Sequence, residues 1–225
     1  MALTLHFHPL APFCHKALIA LYELDVAFDP VIVDLGDPES RAAFAEVWPL
    51  VKFPVLVDSA RDATVAESTT VIEYLDSFYG RARLVPHYPD LAWQVRLWDR
   101  IFDNYLQVPM QKIVADALRP DGARDPHGVA EARSDLAAAY RFLAARLHPA
   151  PWAMGEAFTM ADCAAAPALF YANLVVPFGP RDAKLHAYLA RLMAHPAFAR
   201  VLAEAEPYFP LYPLDPKPAR TLAPL

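Results

Sequence analysis

The sequence predicts a small α/β domain followed by a larger all-helical one. Over the first 80 residues, short stretches of period two alternate with stretches of period three to four. Residues 84–90, "LVPHYPD", then break the pattern with prolines and a histidine. Beyond that break every periodic stretch is helical. The expected organisation is an α/β domain over 1–81, a linker over 82–90, an all-helical domain over 91–206 and a Pro-rich tail over 207–225. No solenoid-type repeat recurs along the chain.

In the first domain, Leu3, Leu5 and Phe7 alternate with Thr4, His6 and His8, which marks a half-buried strand. Cys14, Ala17, Leu18 and Leu21 recur at three and four, so a helix follows and ends near Leu24. Residues 31–35, "VIVDL", read as a second strand. In "DPESRAAFAEV", Asp37 is placed as an N-cap and Pro38 at the first helical position. "FPVLVD" and "ATVA" read as two strands joined by the polar turn 58–62. Pro54 cannot donate to a ladder and so opens its strand. "ESTTVIEYLDSFYG" closes the unit as a helix ending at Gly80. The first β-α-β crossover implies a parallel pair.

In the second domain, Trp93, Leu97, Ile101 and Tyr105 step by four beside a row of Trp98, Phe102 and Leu106. This is one long helix with a broad apolar face. Further helices are expected over 125–147 and 158–176, with one or two more over 182–205. Thr159 and Asp162 are spaced as a capping box with Phe158 at the N′ position. Pro167 is expected to kink that helix or end its ladder. In the tail, Pro207, Pro210, Pro213 and Pro216 recur every three residues, the period of polyproline II. An extended arm packed on its own domain is the preferred reading, and a ligand for a partner's aromatic groove the second.

Composition excludes several classes. With 225 residues, 56% of them hydrophobic, the chain can bury a sizeable core. A formal net charge of −6 argues against a general nucleic-acid-binding surface and gives no support for an anionic membrane partner. No window approaches 18 uninterrupted apolar residues, so no membrane helix is expected. The N-terminus lacks the basic start and apolar run of a signal peptide. The two cysteines, Cys14 and Cys163, fit no zinc spacing, and a reducing cytoplasm is the simplest home.

The candidate chemistry sits where strands meet helices. In "HPLAPFCHKALIALYE" a strand runs through a Pro-rich turn into a helix N-terminus, which offers free N–H groups and favours a thiolate. Cys14 lies in that first turn, but also in register with the buried stripe. Spacing alone puts packing ahead of reactivity. In "KFPVLVD", Pro54 leaves the main chain of Phe53 free to pair with a peptide-like ligand, and by base rate its peptide bond is trans. Lys52 either binds a carboxylate or is merely solvated. In "VAESTTVIEYL", a hydroxyl and free N–H groups at Ser68 suit a carboxylate and Glu67 suits an ammonium group, so one α-amino acid would satisfy both. The competing reading, a plain N-cap serine beside an acidic neighbour, is stronger for this stretch taken singly. His6, His8 and His15 lack a placed carboxylate or thiol to complete a zinc site, so no metal is expected.

Together, "HPLAPFCHKALIALYE", "WPLVKFPVLVD", "VAESTTVIEYL", "VRLWDRIFDNYLQVPMQKIVADALRP" and "AMGEAFTMADCAAAPALFYANLVVPF" resemble the cytosolic glutathione S-transferase family over essentially the whole chain. The resemblance implies a thioredoxin-like N-terminal domain, an all-helical C-terminal domain, a homodimer, a glutathione site on the first domain and an apolar electrophile site between the two. Glu67 and Ser68 then match the pair that holds the γ-glutamyl end of glutathione. Phe53 and Pro54 match the residue and cis-proline that pair with the cysteinyl backbone, and Lys52 a position near the glycyl end. Pro12 and Phe13 belong to the same turn. Tyr105, Met110, Tyr171 and Phe178 are assigned to the electrophile site from helix face alone.

One position departs from the family. The catalytic serine or cysteine of patterns such as S-P-F-C or C-P-F-x falls on Ala11, which has neither hydroxyl nor sulfur. Cys14 stands where a C-x-x-C pair keeps its second cysteine, and the N-terminal strand has no tyrosine. Three outcomes follow: transferase activity supported by the helix N-terminus and backbone donors, a thiol reductase or isomerase role for Cys14, or a binding module without turnover. The first is the preferred expectation, with glutathione as co-substrate and a small apolar electrophile as its partner.

Overall fold

A computed structural model describes residues 2–147, 150–223 and 225. The chain opens with β1 (Leu3–Phe7), α1 (Pro12–Glu23), β2 (Asp29–Ile32), α2 (Pro38–Val47), β3 (Val55–Asp58), β4 (Ala63–Ala66) and α3 (Ser68–Leu75). The sheet has the order β2-β1-β3-β4, with β1 parallel to β2 and antiparallel to β3, and β3 antiparallel to β4. This is a thioredoxin-like unit. Leu3, Leu5 and Phe7 are buried, as their alternation requires. Asp37 caps α2 by accepting from Ser40 N at 2.9 Å.

The helical part comprises α4 (Pro89–Phe102), α5 (Val108–Ala117), α6 (Pro126–Arg146), α7 (Met160–Val175), α8 (Ala183–Ala194) and α9 (Pro196–Ala205). The two halves share one core, in which α1 packs between α3 on one side and α7 and α9 on the other. Asp76 secures the connection. Its buried carboxylate accepts from the amides of Arg83, Leu84 and Val85 at 2.8, 3.1 and 2.8 Å.

Five local expectations are corrected. First, β2 lies at Asp29–Ile32 and not 31–35, because its extent follows the pairing of Thr4 through Phe7 and not the apolar run. Second, Gly80 does not cap α3 in the left-handed region. A π-helical turn, Asp76–Gly80, follows α3, and the left-handed residue is Arg81 at φ 57°. Gly80 serves close approach instead, since a Cβ there would meet Asp76 Oδ1 at 2.6 Å and Leu24 at 2.8 Å. Third, α7 runs unbroken through Pro167. The helix is buried along nearly its whole length and flanked by small alanines, so tertiary packing outweighs one lost hydrogen bond. Fourth, the long helix is interrupted by a second π-helical turn, Asp103–Gln107, between α4 and α5.

The tail supplies the fifth. Glu206–Leu211 is a 3₁₀ helix, so the first part of the tail is not extended, while Leu214 and Leu222 farther on pack against the core. A period of three residues belongs to both conformations. Burial of Phe209 and Tyr212 accompanies the tighter one. At the α7 start, Thr159 N and Thr159 Oγ1 donate to the Asp162 carboxylate at 2.9 and 3.2 Å, as the spacing predicts.

Candidate functional site

Register brings three turns to one end of the sheet. His6 at the end of β1 pairs with Val55 at the start of β3, and Val55 pairs with Ala66 at the end of β4. The β1–α1 turn, the entry to β3 and the β4–α3 turn are therefore neighbours.

In the first turn, Ala11 is the N-cap of α1 and makes no side-chain cap bond. Its N–H donates to His8 O at 3.0 Å, and its carbonyl accepts from Cys14 N and His15 N at 2.9 and 3.0 Å. Pro12 has no N–H. The Phe13 amide is thus the free donor of the helix end, with no hydrogen bond among the described residues. Cys14 is fully buried, and burial pushes its thiol well up despite a bond to the His8 carbonyl. Cys14 is a core residue of α1, and its burial favours the packing reading over the chemical one.

At the entry to β3, Phe53 precedes the ladder and the Phe53–Pro54 bond is cis, against the base-rate expectation of trans. Pro54 is buried and Lys52 exposed. In the third turn Glu67, not Ser68, is the N-cap of α3. It holds φ 64° and ψ 118°, a strained conformation for a residue with a Cβ. Ser68 occupies the first helical position and is buried. Ala11, Pro12, Phe13, Phe53, Pro54, Glu67 and Ser68 thus gather at one sheet end.

The four residues assigned to the electrophile site do not gather. Tyr105 is exposed and lines a cleft of about 810 Å³ between α4–α5 and α6, with Leu97, Val108 and Phe142. Met110 is in the core. Tyr171 is buried against His15 and Tyr212, and Phe178 packs on Tyr140. Tyr105 stays on the side of Leu97 and Ile101, as its spacing of four implies, whereas Met110, beyond the π-helical turn, lies in the core.

Sequence reasoning missed a buried ionic cluster beside Ser68. Lys16 Nζ lies 2.6 Å from Asp99 Oδ1 and 2.8 Å from Asp103 Oδ2, and donates to Thr69 Oγ1 at 2.8 Å. Thr69 Oγ1 donates to Asp99 Oδ2 at 2.8 Å, and Arg100 pairs with both carboxylates. Burial pushes the Asp103 carboxyl up, opposed by Lys16. The cluster anchors the start of α3 to α1 and α4. Its signal was present: a lysine inside the buried stripe of α1, and aspartates four apart, Asp99 on α4 and Asp103 just past its end.

A thioredoxin-like sheet backed by an all-helical domain defines a class of two-domain proteins. Residues 5–94 match the family model "Glutathione S-transferase, N-terminal domain", and residues 126–204 match "Glutathione S-transferase, C-terminal domain". The chain is 30% identical over 207 residues to the stringent starvation protein A homolog of Coxiella burnetii, covering 91% of this chain and 93% of that protein. It is 25% identical to glutathione S-transferase GstB of Escherichia coli K12, over 83% of this chain and 91% of the relative. A solved glutathione S-transferase of Methylobacillus flagellatus with glutathione bound superposes at a TM-score of 0.79 and 25% identity, covering 88% of this chain and 98% of that one. The chain belongs to the glutathione S-transferase family.

Proposed function

We propose that the protein binds glutathione at the gathered sheet end and adds its thiolate to a small apolar electrophile. The observation that carries this reading is the convergence of the Phe13 amide, the unladdered Phe53 and the Glu67–Ser68 turn. Each suits one part of a γ-glutamyl tripeptide. Ser68 and the α3 N-terminus take the γ-glutamyl carboxylate, and Glu67 takes its ammonium group. Phe53, with Pro54, pairs with the cysteinyl backbone. Lys52 meets the glycyl carboxylate. The cysteinyl sulfur then lies toward Ala11, Pro12 and the α1 N-terminus, where the helix end favours its ionised form. The sulfur is the nucleophile, and the protein contributes positioning and polar surroundings. A solved relative with bound glutathione and another with bound glutathione sulfonate support the ligand. The protein is further proposed to be a cytoplasmic homodimer without a nucleic-acid or membrane partner.

A second reading, a binding protein without turnover, draws on Ala11 and on relatives named stringent starvation protein A homologs. A Cys14-based oxidoreductase loses its support through burial of the thiol. Calorimetric titration of reduced glutathione tests the first reading. Saturable binding that Glu67→Ala/Ser68→Ala abolishes is expected. The reading fails if the wild type shows no heat at millimolar glutathione at two temperatures.

A further inference from the structure

The turn lacks a side chain to bond the thiolate at position 11, yet it carries one at position 8. His8 stands at the end of β1, half-buried, between two of the three gathered elements. Its Nδ1 accepts from the Leu10 amide at 3.1 Å, which folds the ring back over the turn. The same ring stacks on Phe53, with centroids 6.1 Å apart and an interplanar angle of 19°. His8 thus spans the space between the α1 N-terminus and the residue that faces the cysteinyl backbone. An amide can only donate, so Nδ1 carries no proton and the neutral ring keeps its proton on Nε2. That Nε2–H has no hydrogen-bond partner among the described residues.

Resting on the glutathione reading above, we infer that His8 replaces the missing hydroxyl, donating its Nε2–H to the glutathione thiolate beside the turn. The thiol proton leaves to water, the sulfur keeps its electron pair, and His8 keeps its own proton throughout. His8 is therefore a hydrogen-bond donor to the nucleophile and not a general base. Burial lowers the His8 pKa, opposed by Asp34, and so favours the neutral ring. The other titratable groups around the ring are His15 on α1, Tyr208 in the tail, whose ring meets His8 edge-on, and His6 on the same face of β1.

The test compares wild type with His8→Phe, which keeps the stack on Phe53, and His8→Gln, which returns an N–H near the Nε2 position. Ultraviolet thiolate absorbance of bound glutathione across pH reads ionisation, and S-methylglutathione affinity reads the rest of the site. A hydrogen bond to a charged group is worth about 1.5–3 kcal/mol, so His8→Phe should lower the bound thiolate fraction about tenfold to a hundredfold at neutral pH. His8→Gln should recover part of that loss, and S-methylglutathione should bind all three proteins alike. Unchanged thiol ionisation in His8→Phe, with both ligands still bound, overturns the role of His8 alone. If wild type binds neither ligand, the glutathione reading falls and this inference falls with it.

Discussion

His15 is one residue past Cys14 and has an environment with a measurable consequence. It is fully buried, with Nε2 against the Pro9 carbonyl at 2.5 Å and its ring beside Tyr171 and Phe198. Burial lowers its pKa to about 4 from 6.5. The folded state then refuses a proton that the unfolded chain accepts. The associated stability is fully present above pH 6.5, is lost as pH falls from there to about 4, and levels off below. The loss is of order 2–4 kcal/mol. Denaturant melts at closely spaced pH values should show this slope in wild type and a shallower one in His15→Phe. Cys14→Ala should cost about 1–2 kcal/mol through lost packing while leaving glutathione affinity unchanged. Unequal affinity would return Cys14 to the site. Residue identities at the site were legible because strand-to-helix turns announce themselves by Pro, Ser and a change of period. The depth of a side chain was not: Cys14 reads equally as first-turn donor and as core, and only the packing of α7 over α1 decides.

Between elements, the Lys16 cluster matters most, because it holds the start of α3, and hence Ser68, against α1 and α4. Removing Lys16 leaves Asp99 and Asp103 facing each other in the interior. Lys16→Met should therefore cost about 3–5 kcal/mol. Adding Asp99→Leu should recover much of this, since the remaining Asp103 keeps Arg100. The double variant should melt close to wild type yet bind glutathione more weakly, as Thr69 loses two of its partners; equal weakening in proportion to stability in both variants would reduce the cluster to a folding role. The order and type of the elements could be read from periodicity. Their phases could not. The π-helical turn has no signature in the spacing of Trp93, Leu97, Ile101 and Tyr105: Leu97, Ile101 and Tyr105 keep to one side, while Met110 beyond the turn lies in the core. The 3₁₀ tail and the unbroken α7 share this origin: local rules about proline are outweighed by what the segment packs against.

At the scale of the whole molecule, one side of α4–α5 remains unexplained by a single chain. Leu97, Tyr105 and Val108 are 47, 63 and 52% exposed and line the cleft bounded by α6. A contiguous apolar strip of this kind is unusual on a monomer. A second copy of the chain is the occupant that the proposed homodimer supplies. Association would be driven by apolar area, so it should persist at high salt, where exposed ion pairs are screened. Sedimentation equilibrium should give twice the chain mass of 25.0 kDa for wild type. Leu97→Glu/Val108→Glu should sediment near 25.0 kDa with an unchanged helical spectrum, because both side chains face outward. A monomeric wild type would refute the homodimer and leave the strip to a different partner. A dimer untouched by the two glutamates would place the interface elsewhere.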